Sequence, residues 1–250
     1  MTEKIDKYKV QAALVRSFFD AFSHGVIESQ MEDRNEKTTP QSVKKLMLEH
    51  YEHIAPAFFD TMFFPLAAMN YKYEDIAALA REAQQRGDDM MALVRTACGD
   101  EAYYNAMVEE YKRNFSMLLA GRYLSNADHL EGYVRKAKEE TEASVDSDRA
   151  IELTVRVVMF AYVRGLRHTG EDARFDRSAH LRQVHPLRGA TLFRLMLDAM
   201  NILLLDEAVD FADAEAADLA SLFLKVCQTQ HNFTVMTNEM DRTYSELMKE

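Results

Sequence analysis

The chain has 250 residues, 48% hydrophobic and 28% charged, with 30 Lys and Arg against 41 Asp and Glu for a formal charge of −11. That length buries a full core without covalent staples, and two cysteines, Cys98 and Cys227, exclude a disulfide framework and a cysteine-rich zinc site. Eight Gly and four Pro are too few for the turns of a sandwich or barrel, and the acidic balance disfavours nucleic acid, whose phosphates need clustered cations.

Helical spacing runs through nearly all of the chain. Val10, Leu14, Phe18 and Phe22 step by four, with Val15 and Phe19 beside them, which predicts one or two amphipathic segments at the start. A charged loop over 28–39 follows. Thr39 is a good N-cap, and Pro40 at the first helical position lacks only an N–H that would be orphaned there. Met47, Tyr51, Ile54, Phe58 and Met62 share one side of the next helix, in which Pro56 and Pro65 predict a kink. Residues 70–73 read as a turn. Ile76, Leu79, Ala80 and Ala83 then begin a helix that runs to Cys98 and is ended by Gly99-Asp100.

The following helix carries Tyr104, Met107, Tyr111, Phe115, Leu118 and Arg122 on one stripe. Residues 126–145 read as a short polar helix, and Ser147-Asp148 caps an apolar one over 150–163. Residues 165–184 read as a long inserted loop. Pro186 is expected to open a helix to Leu205, and 214–249 supplies the last, with 238–250 as a tail. Eight or nine helices leave no room for a sheet, no short-period repeat is visible, and a single all-α domain over 1–250 is expected. No apolar run approaches the ~20 residues of a membrane span, and the N-terminus lacks a signal-peptide pattern. These features predict a soluble, intracellular protein.

Several constellations could carry chemistry. Glu49, His50, Glu52 and His53 fall within one helical turn, yet no Glu-x-x-His unit of a di-iron bundle is present, so a solvated helix face is expected and no metal. Arg174 and His180 loosely fit the arrangement of HEPN-type helical ribonucleases, with Arg on phosphate and His as base. The region 164–194 is an arginine-rich island in an acidic chain and could receive an acidic partner. Cys98 and Cys227 read as small core residues. Arg122 extends an apolar stripe, so its charge falls on an inward or groove side, with Tyr123 adjacent. A guanidinium there needs an anionic partner, which a phosphate could provide bidentately.

Four patches, in order along most of the chain, together resemble the 14-3-3 family. Leu46-Met47-Leu48-Glu49-His50-Tyr51-Glu52-His53-Ile54 is similar to the Leu-Leu-Ser-Val-Ala-Tyr-Lys-Asn-Val run of the family's third helix, and Arg122-Tyr123-Leu124 to Arg-Tyr-Leu of its fifth. Pro186–Arg194 resembles the start of its eighth, and His231-Asn232-Phe233-Thr234-Val235-Met236-Thr237 its Asp-Asn-Leu-Thr-Leu-Trp-Thr run. The resemblance implies nine antiparallel helices around a central concave groove, a homodimer joined through its N-terminal helices, and binding of extended phosphoserine or phosphothreonine peptides. It implies no catalysis and no cofactor.

Carried onto this sequence, the resemblance makes Arg122 and Tyr123 phosphate contacts and Asn232 a holder of the peptide backbone. Thr154 would keep a hydrogen bond, while Leu153, Val157 and Leu224 would pack the peptide's side chains. Glu52 stands where the family has its phosphate Lys and Phe59 where it has its first phosphate Arg. Losing two charge-assisted hydrogen bonds costs about 3–6 kcal/mol. His50, His53, Arg156 and the 164–194 island are the available substitutes. The expectation is a non-enzymatic cytoplasmic adapter for phosphorylated proteins, with a phosphate-independent scaffold or a HEPN-like ribonuclease as alternatives. Thr243 and Ser245 in the tail are candidate phosphorylation sites that could occupy the protein's own groove.

Overall fold

Two three-residue strands hold the beginnings of two long helices side by side. The computed structural model describes residues 3–34, 39–120, 143–167, 177–205, 219–247 and 249. Strand β1 (Lys4–Asp6) pairs antiparallel with β2 (Ser144–Asp146), Ile5 opposite Val145. The Ser147 N–H donates to the Glu3 carbonyl at 2.8 Å, and the Lys7 N–H to the Ala143 carbonyl at 3.1 Å. From these strands start α1 (Lys7–Arg34) and α7 (Ser147–Arg167). Asp6 caps α1 by accepting from the N–H groups of Tyr8 and Lys9.

Helices α1 and α7 touch backbone to backbone. A Cβ placed on Gly25 would lie 2.2 Å from the Tyr162 carbonyl oxygen, and one on Gly165 would lie 2.2 Å from that of Phe22. Only glycine at both positions permits this approach. The contact is reciprocal, and so is what surrounds it. Between the two long helices come α2 (Pro40–Glu49), α3 (Tyr51–Asn70), α4 (Tyr73–Arg86), α5 (Met90–Ala97) and α6 (Glu101–Leu119). After α7 come α8 (Arg177–Leu204), α9 (Leu219–Cys227) and α10 (Gln230–Leu247).

The second set repeats the first. Ala68-Met69-Asn70 ends α3 as Ala199-Met200-Asn201 approaches the end of α8. Cys98 and Cys227 close α5 and α9, and each precedes a residue of positive φ, Gly99 (73°) and Gln228 (63°). Asp100 then caps α6, and the Thr229 hydroxyl oxygen accepts from the Asn232 N–H to cap α10. Met107, Glu110 and Arg113 on α6 match Met236, Glu239 and Arg242 on α10. The chain is therefore an internal duplication with a pseudo-two-fold axis at Gly25 and Gly165. Helix α1 packs on α6 and crosses to α8, while α7 packs on α10 and crosses to α3.

Phe18, Phe19, Phe22, Phe58, Val155, Val158 and Tyr162 are fully buried in the shared core. Phe58 meets Phe18 edge-on at 5.1 Å and Tyr111 at 4.7 Å, geometry favourable to aromatic pairs.

The all-helical expectation holds in class, but against eight or nine helices and no sheet the described residues carry ten helices and one small two-stranded sheet. The Thr39 cap is reinforced by Ser42, whose hydroxyl accepts from the Thr39 N–H. Several boundaries differ from expectation. The first segment is one continuous helix. The expected Met47–Met62 helix breaks at His50, whereas α3 runs unbroken through Pro56 and Pro65. The expected loop over 165–184 begins inside α7 and ends inside α8, which starts at Arg177 and accommodates Pro186 internally; 168–176 lie outside the described residues. The expected tail, 238–250, is mostly helix. Glu239, Thr243 and Leu247 face the core there, a periodic burial that a tail could not show. The expected polar helix falls mainly on 121–142, outside the described residues. Among the described residues, no helix is long and apolar enough to cross a membrane.

Candidate functional site

Where α7 crosses α3, a surface cleft of about 140 Å³ opens. Asp60, Thr61, Phe64 and Pro65 line it from α3, and Arg156, Val157, Phe160 and Arg164 from α7. Both sets follow helical spacing, so each presents one face.

Arg156 anchors the floor. Its Nη2 donates to Glu246 Oε2 at 2.7 Å and its Nη1 to Glu239 Oε1 at 3.3 Å. Its guanidinium carbon sits 5.2 Å from the Phe64 ring centre and 5.5 Å from that of Phe160. Burial alone would lower its pKa, but the hydrogen bonds and charges of Glu246 and Glu239 outweigh this and raise it. Glu239 is only 3% exposed and is held from two further sides, by Arg242 Nη2 at 2.6 Å and by the Thr243 hydroxyl at 3.0 Å. At the rim, Arg164 forms an ion pair with Asp60.

Thr61 lies between these groups at 7% exposure. Its hydroxyl has no hydrogen-bond partner among the described residues. Pro65, four residues on, has no N–H to give to the Thr61 carbonyl, so the helix withholds the usual intrahelical donor at the same place. Polar groups buried in this way carry a desolvation cost that an incoming group could relieve.

The pseudo-two-fold axis carries this cleft onto the crossing of α1 with α8, where Arg16 takes the place of Arg156. There Arg16 is 3% exposed and its Nε donates to Asp20 Oδ2 at 3.0 Å. Asp198 of α8 faces the same pair. Its pKa is pushed up to about 7, by burial first and then by the Asp20 charge, against the opposing pull of Arg16 and Arg194.

Four of the seven residues expected to form a peptide groove are buried. Leu153, Thr154 and Val157 are fully buried, and the Thr154 hydroxyl donates to the Ala150 carbonyl at 2.8 Å. Asn232 is 5% exposed, its amide donating to the Cys227 carbonyl at 2.9 Å, a bond that ties α10 to α9. These side chains serve the core. Of this set, Val157 alone reaches the cleft. Leu224 is 46% exposed on α9. Arg122 and Tyr123 lie outside the described residues, as do Arg174 and the side chain of His180.

Glu52 accepts from the Tyr51 hydroxyl at 3.1 Å, and Phe59 packs half-buried against Phe58 and Tyr111. The His50 and His53 rings stand 6.4 Å apart. Among the described residues, no group of three or more His, Cys, Asp or Glu is placed to hold a metal ion. Thr243, one candidate phosphorylation site, has no exposed surface. Burial pushes the Cys98 thiol up to about 12 and the Cys227 thiol to about 11, so both stay protonated at neutral pH.

The sequence marks Arg156 and the arginine-rich island that begins at Arg164 as substitute cations, but not Asp60, Thr61, Phe64 and Phe160 as their company. The Thr61-x-x-x-Pro65 spacing was the available signal. Compared with known proteins, the chain matches no family model, no curated protein and no solved structure.

Proposed function

We propose that this chain is a non-enzymatic helical adapter that holds an acidic segment of a partner protein, with the α3/α7 cleft taking one oxyanion-bearing side chain. One observation carries the reading: two guanidiniums and a buried hydroxyl without a partner line a single cleft. Its volume of about 140 Å³ is well below the ~300 Å³ at which small-molecule sites begin. One side chain of a larger partner suits that space better than a cofactor does. Phe64 and Phe160 offer ring faces for the methylenes of such a side chain, leaving its charged end to Arg164 and Thr61.

The resemblance to 14-3-3 proteins supports the same class of function and adds a phosphorylated ligand, a homodimer and a longer groove to the proposal. In that form Arg122 and Tyr123 contact the phosphate. The test is an array of short peptides in which each central position is presented as Ser, Gln, Glu and phosphoserine, probed with the full chain. Retention of acidic over neutral peptides, weakened at least tenfold by added salt, is the expected result. Equal retention of Gln and Glu peptides refutes the reading. Arg122→Gln and Tyr123→Phe separate the two forms, since loss of phosphoserine peptides alone assigns the phosphate to that pair. Light scattering at twice the chain mass is the expectation for the homodimer.

A further inference from the structure

The two crossings related by the pseudo-two-fold axis join the halves of the chain by different chemistry. Where α7 crosses α3, the positions that match Asp20 and Asp198 carry Phe160 and Ala67, the latter preceding Ala68-Met69-Asn70 as Asp198 precedes Ala199-Met200-Asn201. The arginine of that crossing, Arg156, takes its carboxylates from α10 of its own half. Where α1 crosses α8, Arg16 takes one carboxylate from Asp20 on its own helix and faces a second, Asp198, from the other half. Arg16 is 3% exposed and Asp20 8%. One buried guanidinium thus stands against two carboxylates from opposite halves. With both acids ionised, one negative charge is left without a buried cation, because Arg194, the other cation acting on Asp198, is exposed. A proton held between the carboxylates removes that charge and joins the two helices. Among the described residues, α7 and α9, which also pack on α8, bring no charged group that acts on Asp198. His24, one turn after Asp20, is the remaining titratable neighbour, half-buried with its Nδ1 2.9 Å from the Asp20 carbonyl oxygen.

We infer that the α1/α8 crossing is a proton-operated latch between the two halves, closed while Asp20 and Asp198 share a proton and loosened when that proton leaves. The α3/α7 crossing has no acid at either matching position and keeps its contacts. This goes beyond the adapter reading and does not depend on it. Leu195 and Ile202 share the α8 face of Asp198 by helical spacing and are buried, so loosening lifts α8 from α1 and uncovers them. The sign follows from burial, which raises the Asp198 pKa to about 7. The folded chain holds the proton more tightly than the opened one, so acid closes the latch and rising pH releases it. Such a carboxyl is about nine-tenths protonated at pH 6 and about one-tenth at pH 8, so closure weakens about tenfold across that interval.

The experiment is amide hydrogen exchange of the full chain at pH 6 and pH 8, read by mass spectrometry and corrected for the intrinsic effect of pH on exchange. Amides of 192–201 on α8 should lose about tenfold in protection between the two, while 61–70, the matching part of α3, should change less than about twofold. Asp198→Asn, neutral at both pH values, should remove the difference. Asp20→Asn should shrink it, and His24→Gln should leave it intact. An equal loss of protection at both crossings overturns the latch, because it reports unfolding of the whole chain. No loss over 192–201, or a loss that persists in Asp198→Asn, overturns it as well. A loss abolished by His24→Gln overturns it in favour of the imidazole.

Discussion

Replacing Asp198 with asparagine tests the charge cluster at the α1/α8 crossing. In the folded protein this carboxyl titrates at about 7 against an ordinary 3.8, because burial and the Asp20 charge together outweigh Arg16 and Arg194. Between those two values the folded chain holds a proton that the unfolded chain has released. Stability contributed by this group is therefore fully present below about pH 4, falls as pH rises, and is lost above about 7. Each tenfold difference in proton affinity between the folded and unfolded chain corresponds to about 1.4 kcal/mol. The separation sets a ceiling of about 4 kcal/mol, and the partial solvent exposure of Asp198 brings the expectation to about 2–4 kcal/mol.

Asp198→Asn is a neutral isostere and escapes that loss. Urea unfolding of wild type and variant at half-unit steps from pH 4.5 to 8.5 gives the difference directly. The two should be nearly equal at the acid end, and the variant should be more stable by about 2–4 kcal/mol at pH 8. Asp20→Asn should flatten the wild-type slope by easing ionisation of Asp198. A variant that is less stable than wild type at pH 8, or a difference that does not change with pH, refutes the reasoning. Either would mean that the ionised Asp198 is held favourably by Arg16.

Other perturbations have equally definite outcomes. Gly25→Ala and Gly165→Ala each force a methyl group to 2.2 Å from a backbone carbonyl, so each should destabilise by about 2–4 kcal/mol in urea melts; a loss under about 0.5 kcal/mol would show that the helices are not in backbone contact. Glu239→Gln leaves Arg156 and Arg242 short of charge in a buried network and should cost about 3 kcal/mol by the same assay, with no loss counting against the network. Cys98 and Cys227 should resist a thiol-reactive dye in the native chain and react on unfolding; rapid native labelling of either would contradict their burial.

Much of the helical framework was legible in the sequence because its signals are local. Thr39, Pro40 and Ser42 announce a helix start within four residues, and Gly99-Asp100 marks a stop and a restart by backbone freedom and capping chemistry. The duplication was not legible. Buried positions require volume more than identity, so Leu14 faces Thr154 and Phe22 faces Tyr162 across the repeat. Loops of different length also change the spacing between matched elements. What survives is sparse: in the two long helices and their caps Asp6 with Asp146, Arg16 with Arg156 and Gly25 with Gly165, and beyond them short matches such as Ala68-Met69-Asn70 with Ala199-Met200-Asn201. The cleft was hidden for a related reason. Thr61 and Arg164 belong to helices far apart in the chain, and only the crossing of α3 with α7 brings them together. The expected groove residues rest on the family resemblance carried over position by position, and a short matching run leaves open whether core or ligand covers Leu153 and Val157, which are buried here.

The reciprocal contact at Gly25 and Gly165 also bears on how the chain is made. Helix α1 finds much of its buried surface on α7, which is synthesised more than a hundred residues later. While the ribosome is still adding the second half, Phe22 and Val26 lack the cover that α7 gives them at Gly165. Productive collapse waits for the emergence of Gly165, and nascent chains halted before it are the form on which holding chaperones should act.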